Sequence, residues 1–365
     1  MCVGAFHATM PGYHATRLVE LPALATELGV GAVLVKDESD RLGLPAFKIL
    51  GASWAVNCVL SRRAGFDTPA TGLPELRERV GKAAITLVTA TDGNHGRAVA
   101  RMAQLLGLAA RIYVPAGTTA KTLNAIADEG AQVVQTDLRY DDVVRAAASS
   151  TTNRPADILI QDTAWPGYEE IPQWIVDGYS TMFDEIDAQL GERAPDLVAI
   201  PTGVGSLLQA ALQHYRVTGS SLTSGLSSSK PVSWPFDQLS AQQRSPAVLA
   251  VEPVTAACVT ASLAAGKPIS VDTSRPTSMA GLNCGTVSTI AWPAIRDTLT
   301  AAVVITDDQA HAAMLRLHEL GVPAGPSAAA SLAGVRAALD ETSQRAALAA
   351  KADSVVVLIS TEGAV

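Results

Sequence analysis

The stretch ITLVTATDGNHGRAVARMAQLLGL, residues 85–108, sets the fold class. ITLVTA (85–90) is a short, β-branched run of the kind that forms a buried strand. It ends in a turn of small and polar residues, Thr91-Asp92-Gly93-Asn94-His95-Gly96. The chain then passes into HGRAVARMAQLLGL (95–108), where Val99, Met102, Leu105 and Leu106 share one helical stripe. The same beat continues outward. ARIYVP (110–115), AQVVQT (131–136) and DILIQD (157–162) read as strands, with TAKTLNAIADEG (119–130) and YDDVVRAAASS (140–150) as helices between them. IPQWIVDGYSTMFDEIDAQL (171–190) reads as one long helix. DLVAIPT (196–202), VLAVEP (248–253), AAVVITDD (301–308) and SVVVLIS (354–360) continue the pattern, each beside a helical segment. Strands apolar on both faces that alternate with helices mean parallel sheets covered on both sides, so the fold class is α/β.

Composition narrows the function. With 365 residues, 48% of them hydrophobic, the chain can bury one large core or two ordinary ones. A net charge of −8 from scattered charges disfavours a phosphate-backbone binder, so no nucleic acid partner is expected. No apolar run reaches the length of a transmembrane helix, and the first residues have no basic start followed by an apolar stretch. A soluble, cytoplasmic globular protein is the expectation. Cys2, Cys58, Cys258 and Cys284 form no C-x-x-C pair, and the histidines have no metal-ligand spacing. Reduced, packed thiols and no metal site are expected. The segment 217–246, rich in Ser, Pro and Gly, reads as a linker or surface excursion.

Two further elements could carry chemistry. Thr202-Gly203-Val204-Gly205-Ser206-Leu207 follows a strand and opens a helix, which leaves backbone N–H groups to cradle an anion; a plain tight turn is the alternative. A dinucleotide fingerprint is poorly supported, because Leu208 stands where the third glycine belongs. Pro323-Ala324-Gly325-Pro326-Ser327 opens an Ala-rich helix and reads as architectural. Near the start, Lys36-Asp37-Glu38-Ser39 lies between two elements and is followed by Ala46-Phe47-Lys48-Ile49-Leu50-Gly51. A lysine among Phe47, Ile49 and Leu50 should either extend to solvent or have a depressed pKa and act as a Schiff-base nucleophile.

Taken in order, the A-F-K-x-x-G-A lysine, the D-G-N-H-G turn and the G-V-G-S loop resemble the fold-type-II, tryptophan synthase β-like enzymes that depend on pyridoxal 5′-phosphate. The chain most closely resembles the diaminopropionate ammonia-lyase family within them. The match includes Asp92-Gly93-Asn94-His95-Gly96, Gln161-Asp162-Thr163-Ala164-Trp165, Met279-Ala280-Gly281-Leu282 and Ile359-Ser360-Thr361-Glu362-Gly363. The resemblance implies two mostly parallel α/β domains, with 52–172 inserted into a larger cofactor-binding domain of 1–51 and 173–365. It implies that Lys48 holds the cofactor as a Schiff base and returns as a catalytic base. Asn94 would contact the ring 3′-hydroxyl, and Gly203, Val204, Gly205 and Ser206 the 5′-phosphate. Ser360 or its neighbour Thr361 would meet the pyridine nitrogen. A neutral hydroxyl there leaves the ring a weaker electron sink than a carboxylate would, which fits prompt β-elimination.

By the same resemblance Asp92 takes the Cα proton of a D-isomer while Lys48 serves the L-isomer, and Asp162 binds the substrate's distal ammonium. Helix or turn capping is the alternative role for both acids. His95 is expected to pack rather than to move protons. The implied reaction is α,β-elimination of 2,3-diaminopropionate to pyruvate and ammonia in a homodimer. Serine/threonine dehydratase-type elimination and a catalytically silent amino-acid-binding module are the alternatives. Thr286-Val287-Ser288-Thr289 and Pro326 depart from the family pattern and bear on which small amino acid is the substrate.

Overall fold

The computed structural model describes residues 3–219 and 245–364. Cys2 and residues 220–244 of the Ser-, Pro- and Gly-rich segment lie outside the described residues. Runs of Val, Ile and Leu need cover on both faces, and the chain provides it around two sheets. Strands β1 (Leu18–Glu20), β2 (Ala32–Asp37), β7 (Leu197–Pro201), β8 (Ala247–Pro253), β9 (Ala301–Ile305) and β10 (Val355–Ser360) form a sheet in the order β1-β2-β10-β7-β8-β9. All its pairings are parallel except β1 with β2. Strands β3 (Thr86–Ala90), β4 (Ala109–Val114), β5 (Gln132–Gln135) and β6 (Asp157–Leu159) form a second, fully parallel sheet in the order β5-β4-β3-β6.

Alternation divides the large sheet's apolar residues between two cores. Ala32 and Leu34 of β2, with Val357 and Ile359 of β10, face the core shared with the helix Lys48–Arg63. Val33 and Val35, with Val356 and Leu358, face the opposite core beneath the helix Pro326–Asp340. The helix Lys48–Arg63 lies against the helix Glu170–Gly178 at two glycines. A Cβ at Gly51 would lie 2.8 Å from the Ile175 carbonyl oxygen, and one at Gly178 would lie 2.5 Å from that of Leu50. Only hydrogen at both positions allows this approach.

Several sequence expectations need correction. The stretch 171–190 forms two helices, Glu170–Gly178 and Ser180–Leu190, with Tyr179 between them. Gly178 is drawn against the Lys48–Arg63 helix, and the Tyr179 amide turns back three residues to the Val176 carbonyl. Lys36 and Asp37 are not a connector but the buried end of β2. The Lys36 ammonium donates to Glu185 Oε2 at 2.7 Å, to Gln189 Oε1 at 2.9 Å and to the Thr16 carbonyl at 2.9 Å. Arg41, also fully buried, clasps Glu38 and Glu185 beside it. Buried charges need such partners, and here they come from segments far apart in sequence.

Candidate active site

Parallel strands place ligands beyond their carboxyl ends, and the ends of both sheets converge on one cleft. Asp92 and Asn94 follow β3, and Asp162 follows β6. The loop 202–206 follows β7, and Thr361 and Glu362 follow β10. Lys48, the first residue of its helix, enters between them. The cleft encloses about 730 Å³ including solvent at its mouth.

Ile49 and Leu50 turn into the core, while the Lys48 amine reaches the cleft and donates to Asp162 Oδ2 at 2.8 Å. Burial works against its charge, but Asp162, then Tyr179 and Asp92, outweigh that and hold the Lys48 ammonium above its ordinary pKa. The depressed pKa expected from its sequence neighbours is therefore not found for the free amine, because acidic partners surround it and helical geometry turns Ile49 and Leu50 into the core. The partner responds in kind. Burial alone would raise Asp162, yet Lys48 and then His95 hold it below the usual carboxylate range.

Asp92 behaves differently. Its surface opens onto the cleft, but the protein enclosing the cleft penalises its charge, and Asp162 and Glu362 add to that penalty. Lys48 opposes them, and the Asp92 carboxyl is pushed up to about 6. His95 is buried, and its Nε2 donates to the Ile160 carbonyl at 2.8 Å, since a carbonyl can only accept. Burial lowers its pKa, and its other nitrogen lies 3.8 Å from Asp162 Oδ2.

The glycine loop 203–206 makes an anion cradle at the start of the helix Ser206–Gly219. Among the described residues, none of the amides from Gly203 to Ser206 donates to a carbonyl or side chain. Gly205 has φ +95°, and a Cβ at Gly203 would stand 3.0 Å from Cys284 Sγ. The Ser206 hydroxyl is used elsewhere, donating to the Asp162 carbonyl at 2.8 Å. Ser288, within the stretch that departs from the family pattern, braces this loop. Its amide donates to the Val204 carbonyl at 2.8 Å, and its hydroxyl accepts from the Ala164 amide at 3.0 Å.

At the end of β10, Thr361 lines the cleft. The Ser360 hydroxyl is fully buried and has no partner among the described residues. Sequence reasoning gave no role to Glu362, Tyr140, Cys284 or Ser327, all of which line the cleft. Ser327 corrects the purely architectural reading of 323–327. Pro326 is the first residue of that helix, where no N–H is needed, and the turn sets Ser327 on the cleft wall. Cys58, Cys258 and Cys284 are free, and no metal-binding cluster occurs among the described residues. No helix among them is long and apolar enough to cross a membrane.

A lysine amine and a backbone anion cradle across one cleft define a site for a phosphorylated carbonyl cofactor. The chain belongs to the pyridoxal-phosphate dependent enzymes, whose family model matches residues 9–361. It is similar to the diaminopropionate ammonia-lyase of Escherichia coli strain K12, 36% identical over 372 residues that cover 98% of this chain and 86% of the relative. The Salmonella typhimurium lyase is 38% identical over 314 residues, covering 83% of this chain and 71% of the relative. The crystal structure of the Escherichia coli lyase in complex with D-serine superposes with a TM-score of 0.86 at 33% identity, covering 99% of this chain and 87% of that one. The same enzyme with an aminoacrylate–PLP azomethine reaction intermediate gives 0.82 at 32% identity, covering 99% of this chain and 87% of that one.

The residues present suit the cofactor. The unengaged amides and the glycine cradle fit a phosphate monoester. Of the two hydroxyls at the end of β10, Thr361 lines the cleft, and Ser360, though not on its wall, keeps a buried hydroxyl with no other partner among the described residues.

Proposed function

We propose that this chain eliminates ammonia from 2,3-diaminopropionate, giving pyruvate and two ammonia after water adds to the released three-carbon product. The observation that carries this reading is the buried contact of Asp162 with an ammonium group, that of Lys48, at 2.8 Å. Few small amino acids bring a second ammonium to such a carboxylate, and a diamino acid does.

In this reading Lys48 anchors pyridoxal phosphate, the amides of Gly203, Val204, Gly205 and Ser206 hold its phosphate, Asn94 contacts its 3′-oxygen and Ser360 or Thr361 its ring nitrogen. The bound cofactor supplies an electron sink that makes the hydrogen on an amino acid's α-carbon acidic. Asp92 takes that proton from the D-isomer, and Lys48 takes it from the L-isomer on the other face. With its carboxyl near 6, Asp92 is ionised at neutral pH yet basic enough to accept a proton. Asp162, held ionised, pairs with the β-ammonium and steadies it for departure. The separate sheets support a division into 1–51 with 173–365 and an inserted 52–172, with the cleft between. A cytoplasmic homodimer belongs to the same proposal.

A second reading, elimination from a β-hydroxy amino acid, is favoured by the D-serine held by the Escherichia coli relative. Asp162→Asn separates the two. Loss of a charge-assisted contact should slow pyruvate release from both diaminopropionate enantiomers roughly 10- to 150-fold more than release from serine. Equal losses on both substrates would favour the dehydratase reading.

A further inference from the structure

Glu362 belongs to none of the roles above, yet it sits where three parts of the site meet. Its Oε2 accepts from Asn94 Nδ2 at 2.7 Å, across 268 positions of sequence. Ser327, on the same cleft wall, favours the charge on the Glu362 carboxyl, and only 8% of Glu362 is exposed. Its backbone is fixed on both sides. Glu362 bridges Ala46, the adjacent Gly363 bridges Ala324 and donates to the Pro45 carbonyl at 2.9 Å, and the Phe47 amide donates to the Thr361 carbonyl at 3.2 Å. The segment that carries Glu362 therefore also holds the approach to Lys48. A Cβ at Gly325 would lie 3.1 Å from Glu362 Oε1, so the carboxyl has little room to swing.

Burial pushes the Glu362 carboxyl up, while Ser327, Asn94 and Lys48 favour its charge. As a carboxylate it only accepts, so this contact turns the Asn94 amide with Nδ2 toward Glu362 and Oδ1 away from it. We infer that Glu362 is a positioning residue for the cofactor ring: by fixing the Asn94 amide it selects which amide atom the ring's 3′-oxygen meets. The inference rests on the cofactor reading above. A glutamine in its place could offer either an oxygen or an NH₂ to Asn94, so both amide orientations would become accessible. Ser327, which lines the same cleft and favours the charge on Glu362, acts in support.

The test uses the holoenzyme and reads the cofactor's visible spectrum and its dissociation constant across pH. Wild-type protein comes first, and if it takes up no pyridoxal phosphate the cofactor reading and this inference both fall. Where it does, Glu362→Gln should shift the visible band or its titration midpoint and weaken cofactor binding about 10-fold or more, the scale of a lost charge-assisted contact. Ser327→Ala, a smaller change, should give the same shift in weaker form even if the Glu362→Gln variant folds poorly. The decisive arm is a double-mutant cycle in the Asn94→Ala background, where Glu362→Gln and Ser327→Ala should add little further change, because their effect runs through Asn94. Additive losses in that background, or spectra unmoved by both single variants, would overturn the inference while leaving the cofactor reading intact.

Discussion

The turns 91–96 and 202–206 begin alike, each a strand that ends in small residues and opens a helix, yet they offer opposite surfaces. In the first, the Thr91 hydroxyl accepts from the amides of Gly93 at 2.9 Å and Gly96 at 3.0 Å. Those donors are consumed inside the turn, and what faces the cleft is side chain, Asp92 and Asn94. In the second, the amides stay free among the described residues and the side chains are hydrogen, Val204 and an engaged Ser206. Under the proposed function the first turn would handle protons and a ring, and the second would hold an anion. A single threonine placed to cap the loop makes the difference.

The largest test removes the group that both turns serve. Lys48→Ala should abolish the visible absorbance of lysine-bound cofactor and turnover of either enantiomer. Retained turnover with cofactor still trapped by borohydride would move the attachment point elsewhere. Next comes the side-chain turn. Asp92→Asn should cost the D-isomer reaction about 10²–10⁴-fold and the L-isomer reaction much less. In the unmodified enzyme the D-reaction should fall as pH drops through about 6, because the protonated Asp92 carboxyl cannot accept a proton. The L-reaction, which uses Lys48, should lack that inflection.

The smallest effects sharpen the contrast between the turns. Gly205→Ala places a methyl at φ +95° and 3.0 Å from Ile295 Cδ1. It should weaken cofactor binding roughly 5- to 30-fold, the scale of forcing an L-residue into left-handed backbone. Thr91→Val leaves the buried Gly96 amide and the half-buried Gly93 amide without their acceptor and should cost on the order of 1–3 kcal/mol of stability, with little change in cofactor retention. Urea unfolding and cofactor titration on both variants would show whether the two turns fail in these different ways.

The strand–turn–helix beat was legible because parallel sheets demand apolar strands, and the motif residues Lys48, Asp92, Asn94, Asp162 and 203–206 do meet at one cleft. What the sequence hid depends on distant partners. β2 escaped notice because it ends in Lys36 and Asp37, charges whose burial makes sense only once Glu185 arrives from a helix 149 positions away. The pKa of Lys48 could not be read from its neighbours in sequence, because Ile49 and Leu50 face the core while the amine meets Asp162, 114 positions on. Glu362 and Ser327 stood beside recognisable motifs, but a carboxylate's role follows from what it touches, and Asn94 is 268 positions away.

The staple between residues 45–47 and 361–363 also has a consequence for time. During synthesis β2 and the helix bearing Lys48 emerge early, but β10, which β2 must pair with, is the last strand of the large sheet to leave the ribosome. Until then that sheet lacks the strand between β2 and β7, and the approach to Lys48 has nothing to fasten to. A nascent or truncated chain can hold the lysine and the glycine loop without having a working site. Pairing so distant in sequence is slow to form, since the loop must close before any contact rewards it. The enzyme therefore cannot become active piecemeal on the ribosome: the reactive amine meets its pocket only when the whole scaffold is closed.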